Sequence, residues 1–322
     1  MKHLFAILCV SSLLYGADEI PFEETPSQEL AALDFIQPPL TQQEMQLPRP
    51  AIDLPRKNPA LAASLSFLLP GLGHVYLGDV KTASALIGTT GLGIGGALYR
   101  HSKSVQVSSL LAIQTTWSYG VYAAYRDARL YNGQSGYSYK MPTDSFADLT
   151  SAPFRPSVLK KPEVWGGLLG ALALAVGTTY FAFPEKAHIQ PTLSSKMALA
   201  PLAAFPVGLG EESLFRGYLQ SQLSEVFTPW GGIVLSSLAF GAMHIPNALI
   251  LEPDQRRNYY TFSIPFITAL GAYFGWLTYK NHSLKESVAL HTWYDFVLFA
   301  GSYLASKAAI AERTEFALAL PF

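Results

Sequence analysis

Charge is scarce in this sequence. Of its 322 residues only 14% are charged, whereas soluble domains carry about 25%. Half of the residues are hydrophobic and the mean hydropathy is +0.22, a balance that points to a membrane protein. The formal net charge of −1 gives no basic surface for nucleic acid, so no nucleic-acid partner is expected. There is one cysteine, Cys9, inside the N-terminal apolar stretch. If that stretch is removed, disulfides, thiolate metal sites and cysteine nucleophiles go with it. A G-x-S-x-G elbow and an H-E-x-x-H helix are also missing, so serine-hydrolase and zincin mechanisms find no support.

Residues 1–17 read as a secretory signal: Lys2 and His3, an apolar core from Leu4 to Leu14, then Gly16 and Ala17 ahead of Asp18 and Glu19. A retained anchor is the alternative. Residues 18–58 are polar and then proline-rich, without amphipathic period, and read as a linker. Beyond them, apolar runs fall near 60–77, 82–99, 105–125, 163–183, 195–212, 229–248, 261–279 and 287–305. Each approaches the roughly 20 residues that cross a bilayer, so the expected fold is all-α, a polytopic membrane bundle of about eight transmembrane helices. Residues 59–126 would form a three-helix module, 127–162 a loop, 163–305 a second membrane domain and 306–322 a tail. The excess of Lys and Arg in 127–162 places that loop in the cytoplasm.

Three blocks put polar groups into apolar runs: Glu211-Glu212-Ser213-Leu214-Phe215-Arg216, Phe240-Gly241-Ala242-Met243-His244 and His291-Thr292-Trp293-Tyr294-Asp295. An ionisable side chain at membrane depth costs several kcal/mol unless paired or hydrated, which makes it a functional candidate. Glu212 and Arg216 are four apart and can pair on one helix side. Glu211 points about 100° away and is left to address a different space. His291 and Asp295 are again one turn apart. That spacing suits an orienting bond, two ligands to one metal, or two groups aimed at one oxygen.

In order and spacing, the three blocks resemble the CAAX protease and bacteriocin-processing family of intramembrane proteases, whose signature reads E-E-x-x-x-R, F-x-x-x-H and H-x-x-x-N/D. The resemblance covers roughly residues 160–305. It implies that Glu211 and His244 activate a water, with Glu211 as general base, that His291 and Asp295 line the oxyanion site, and that Glu212 and Arg216 support the arrangement. An ionised Asp295 cannot donate a hydrogen bond, so Asp295 is either protonated or orients His291. No obligatory cofactor is expected, although Glu211, His244 and His291 would also serve as zinc ligands with an open position. The implied partner is a membrane-associated peptide or protein, and the implied setting a multi-pass protein of a bacterial inner membrane. A non-catalytic scaffold or substrate-binding relative is the competing reading; a transporter would require inverted repeats, which the two halves do not show.

The first half adds Leu69-Pro70-Gly71-Leu72-Gly73-His74-Val75-Tyr76-Leu77-Gly78, which resembles the Pro-Gly-x-Gly-x-x-Tyr turn of small two-helix membrane modules and names no chemistry. His74 there is expected to be structural.

Overall fold

The computed structural model describes residues 55–133, 136–182, 200–251 and 253–312. The expected signal, most of the linker and the last ten residues lie outside the described residues. Among the described residues every regular element is helical, as the hydropathy pattern implies. The described residues from Lys57 onward form one compact unit.

Helices α1 (Pro59–Leu68) and α2 (Leu72–Leu77) occupy the stretch expected as one span at 60–77. The break falls at Pro70-Gly71. Gly71 has φ +97°, and a Cβ there would meet the Ala83 carbonyl at 2.8 Å, so the chain turns where only glycine fits. Helix α3 (Val80–Leu98) follows, its first turn capped by Asp79. Helix α4 (Lys103–Tyr131) runs past the expected boundary at 126. The region expected as a plain loop is partly helical, with α5 (Phe146–Ser151) and α6 (Pro156–Leu159). Helix α7 (Pro162–Ala182) opens the second half.

That half carries on with α8 (Ala204–Glu212), which continues without a break as a π-helical stretch Ser213–Gln220 and then as α9 (Ser221–Val226). Helix α10 (Pro229–Met243) follows, and then a 3₁₀ stretch from Ile245 to Ile250 that Pro246 opens. Helix α11 (Pro253–Asn258) leads through a second π-helical stretch, Tyr259–Ser263, into α12 (Ile264–Asn281). Helix α13 (Lys285–Glu312) outlasts the span expected at 287–305.

Long helix α4 packs against α1 and α3 on one side and against α8 and the π-helical stretch on the other. The Thr115 hydroxyl of α4 donates to the Pro206 carbonyl at 3.0 Å. Tyr122 of α4 lies against Gly217, where a Cβ would come within 2.5 Å of its ring. The first half is thus a wall of the second rather than a detached module.

Polarity is distributed inside out. Ser66, Gln114, Thr115, Glu212, Arg216, Gln220, Ser236 and Ser237 are buried. Leu92 and Leu98 of α3, Leu169 and Leu174 of α7, and Val234 and Leu238 of α10 are exposed, Leu92 by 81%. A protein dissolved in water hides such residues, whereas a hydrocarbon solvent rewards their display. One described stretch, Pro229–Leu249, is long and apolar enough to cross a membrane by length and composition. The expected count of eight crossings is not established by that criterion.

Candidate active site

The first block sits where α8 becomes π-helical. A π turn widens the helix by one residue per hydrogen-bonded ring and is frequent at functional sites. Here it follows Glu211 and Glu212 and contains Arg216. Glu212 and Arg216 form the expected pair: Arg216 Nη1 lies 3.1 Å from Glu212 Oε1, with both side chains fully buried. The contact is an ion pair without hydrogen-bond geometry. Arg216 is held further by Nη2, which donates to the Gly271 carbonyl at 2.9 Å, and by the Phe240 ring 4.2 Å from its guanidinium carbon. Gly271 is required there, since a Cβ would meet Arg216 Nη2 at 2.8 Å and the Phe240 ring at 3.0 Å.

The third block joins this pair directly. His291 Nδ1 lies 2.9 Å from Glu212 Oε1. A carboxylate oxygen accepts, so Nδ1–H donates and Nε2 is directed elsewhere. Nε2 stands 3.9 Å from Glu211 Oε2 and 3.4 Å from Asp295 Oδ2. The imidazole is stacked on Phe274 at 4.9 Å with 21° between planes, and the edge of Phe240 closes its other side at 6.0 Å. Glu211, His291 and Asp295 retain 7%, 5% and 9% exposure, whereas Glu212 has none. One glutamate of the pair is sealed in and its neighbour opens toward a space, as the 100° offset predicts.

His244 caps the end of α10 and is half-buried. Its Nδ1 lies 2.8 Å from the Phe240 carbonyl, which only accepts, so this nitrogen carries the proton and Nε2 offers a lone pair. The Tyr259 hydroxyl donates to the His244 carbonyl at 3.1 Å and secures the turn beyond it. Glu211 lies within electrostatic range of His244, His291 and Asp295 together. The structure therefore gathers all six predicted residues around one point.

Sequence reasoning missed Phe274, Gly271 and Tyr259, and it missed that Glu212 bonds His291 as well as Arg216. A glycine and two aromatics within apolar runs carry no signal of their own. Of the aromatic residues in and beside the three blocks, Phe215, Phe240 and Tyr294 are buried. Trp230 is exposed, and the Trp293 indole donates to the Pro153 carbonyl at 2.8 Å, so it packs on the loop instead. His74 is fully buried with Nε2 3.3 Å from Asp127 Oδ2, a helix-to-helix tie in the first half.

Among the described residues no three His, Cys, Asp or Glu side chains are grouped as a metal-binding set. Glu211, His244 and His291 supply suitable donors in chemical type, and the Nδ1–H bond to Glu212 leaves His291 Nε2, 3.9 Å from Glu211 Oε2, as the nitrogen that could serve as a ligand.

A carboxylate, two histidines and an aspartate thus lie together at the partly exposed side of the buried Glu212–Arg216 pair, the group types that general acid–base chemistry uses. A family model described as Type II CAAX prenyl endopeptidase Rce1-like matches residues 193–297. That stretch carries the first two blocks and the third as far as Asp295, so the resemblance borne by the motifs is a family similarity of the whole segment. Comparison with curated proteins and with solved structures gave no match.

Proposed function

We propose that the chain is a multi-pass intramembrane endopeptidase that hydrolyses a peptide bond of a membrane-associated peptide or protein. The observation that carries this reading is the buried Glu212–His291 bond, which ties the first motif to the third and leaves His291 Nε2 facing Glu211. A scaffold that needed only the Glu212–Arg216 pair would have no use for a second glutamate at the mouth.

In the proposed reaction Glu211 takes a proton from a water as the water oxygen bonds the scissile carbonyl carbon. The lone pair on His244 Nε2 accepts the water's other hydrogen and fixes its direction. His291, protonated on both nitrogens, keeps Nδ1–H on Glu212 and turns Nε2–H to the carbonyl oxygen as charge develops there. Asp295, 3.4 Å from Nε2, balances and orients the imidazolium; this favours the orienting role for Asp295 over that of an oxyanion donor. Glu211 then returns its proton to the amide nitrogen, the C–N bond breaks, and the new carboxyl leaves. Zinc, if bound, would supply Lewis acidity at Glu211, His244 and His291.

The bilayer is the proposed solvent for the exposed faces of α3, α7 and α10, with residues 127–162 on the cytoplasmic side of a bacterial inner membrane. The test is cleavage of a membrane-tethered peptide library by detergent-purified wild type, Glu211→Gln and His244→Ala, with and without chelator, read by mass spectrometry. Products from wild type alone are expected, and the chelator lanes decide on metal. A Glu211→Gln variant that cleaves like wild type removes the proposal.

A further inference from the structure

The two helices that meet in the Glu212–His291 bond come from opposite parts of the second half, and the segment linking the two halves touches the ends of both. Residues 136–145 lie across the far end of the Glu211–Arg216 helix. Glu225 of α9 accepts from the Ser138 amide at 3.0 Å, the Ser138 hydroxyl at 3.0 Å and the Tyr139 amide at 2.9 Å. Arg129 of α4, itself 1% exposed, approaches the same carboxylate at 2.9 Å and donates to the Tyr139 carbonyl at 2.7 Å.

A few residues on, the segment holds the start of α13. Asp144 accepts from the Leu284 amide at 2.7 Å and the Ser283 hydroxyl at 3.1 Å, and Lys285 Nζ stands 3.1 Å from it. The Asp144 carbonyl is fixed from α4 by Arg126 at 2.6 Å and by Tyr122 at 3.1 Å. Between these anchors Tyr139 and Met141 are buried in one apolar cluster with Leu209 of α8, with Leu284 just ahead of α13 and with Val288 of α13.

We propose that Glu225 and Asp144 are positioning residues and that 136–145 is a strap by which the first half sets the register between α8 and α13. The chemistry of the anchors supports this. Both are carboxylates that accept backbone amides, which fixes depth and rotation of a helix end better than apolar packing does. Val288 lies one turn before His291, so a slip at Leu284 is carried along a rigid helix to the imidazole. Displacement of reacting groups by about 1 Å costs on the order of 100-fold in rate, so a small slip is enough.

The activity part of the proposal rests on the peptidase reading; a distance measurement keeps the two apart. In a Cys9→Ser background, spin labels at Val226 and Val297, exposed positions on α9 and α13, report the helix separation by pulsed electron resonance. Wild type, Glu225→Gln, Asp144→Ala and Asp144→Asn are compared, with Asp79→Ala as control. Asp79 caps the start of α3 through the Thr82 amide and bonds neither the strap nor either helix end. Asp144→Asn keeps an acceptor and serves if the alanine variant does not fold.

The expected result is a narrow distance distribution in wild type and control, and a shifted or broadened one in the strap variants. With the best-cleaved library peptide, kcat per folded enzyme falls on the order of 10- to 100-fold while KM stays within about twofold. A merely structural role would lower the folded fraction and leave kcat per folded molecule unchanged. Unaltered distances in Glu225→Gln and both Asp144 variants overturn the strap, and so do altered distances with unaltered kcat. If wild type cleaves nothing, the peptidase reading is what fails, and the label distances alone decide the strap.

Discussion

Glu212→Gln isolates one charge in the buried centre. The side chain keeps its shape and its Oε1, so the His291 Nδ1–H still has an acceptor. What it removes is the negative charge 3.1 Å from Arg216, where both side chains have no exposure. Breaking a buried pair by deleting one partner costs about 3–5 kcal/mol, because the remaining charge is left uncompensated. The Gly271 carbonyl and the Phe240 face stay in place, and a cation over an aromatic face is worth about 0.5–2 kcal/mol. Their persistence argues for the lower end, about 3 kcal/mol. Against a total stability of about 5–15 kcal/mol that loss is large. The assay is reversible unfolding in mixed micelles, followed by tryptophan fluorescence, for wild type, Glu212→Gln, Arg216→Met and the double variant Glu212→Leu/Arg216→Met. Both single variants are expected to lose stability, and the double variant to regain part of it: an apolar pair replaces a buried ion pair at little cost, but the His291 Nδ1–H and the Gly271 carbonyl lose their partners, at about 1–3 kcal/mol each. Activity should not return in the double variant, because His291 Nδ1 then has no carboxylate. A Glu212→Gln loss under about 1 kcal/mol, or a double variant no better than the singles, would refute the buried-charge argument.

Gly271→Ala should cost about 1–3 kcal/mol and most of the peptidase rate, since its methyl must displace Arg216 or Phe240; unfolding and cleavage assays read both. Leu92→Arg should cost about 2.5–3.5 kcal/mol of membrane insertion if α3 faces lipid, read by a glycosylation-mapping assay, whereas transfer of that face to water would leave insertion unchanged. The Ser145 hydroxyl and amide hold the Asp148 carboxyl below its ordinary range, helped by Arg155. A lowered folded-state pKa contributes stability that is complete above the unfolded pKa and lost as pH falls through the folded one. Amide exchange in 145–151 should therefore accelerate below the ordinary carboxylate range, and Ser145→Ala should flatten that dependence.

The Glu212–Arg216 pair was legible because i,i+4 neighbours on a helix meet whatever the rest of the chain does. The break at Pro70-Gly71 was legible as a turn motif, although the apolar run around it read as a single span. Extent was harder: α4 and α13 outrun their apolar cores, since polar residues continue a helix wherever tertiary partners such as Glu225 or solvent satisfy them. The loop at 127–162 looked like charge and proline, yet Asp144, Tyr139 and Arg129 became a buried bridge once neighbouring helices supplied amides and a carboxylate.

By itself the sequence determined the helical class, the apolar surface and the six polar residues of the site, because period, hydropathy and the cost of a buried charge are local properties. Tertiary structure alone decided that Glu212 is shared between Arg216 and His291, that Phe274 and Gly271 shape the pocket, and that α4 is its wall. The Arg216–Gly271 and Glu212–His291 contacts join residues 55 and 79 positions apart, and no local pattern encodes which distant helix faces meet.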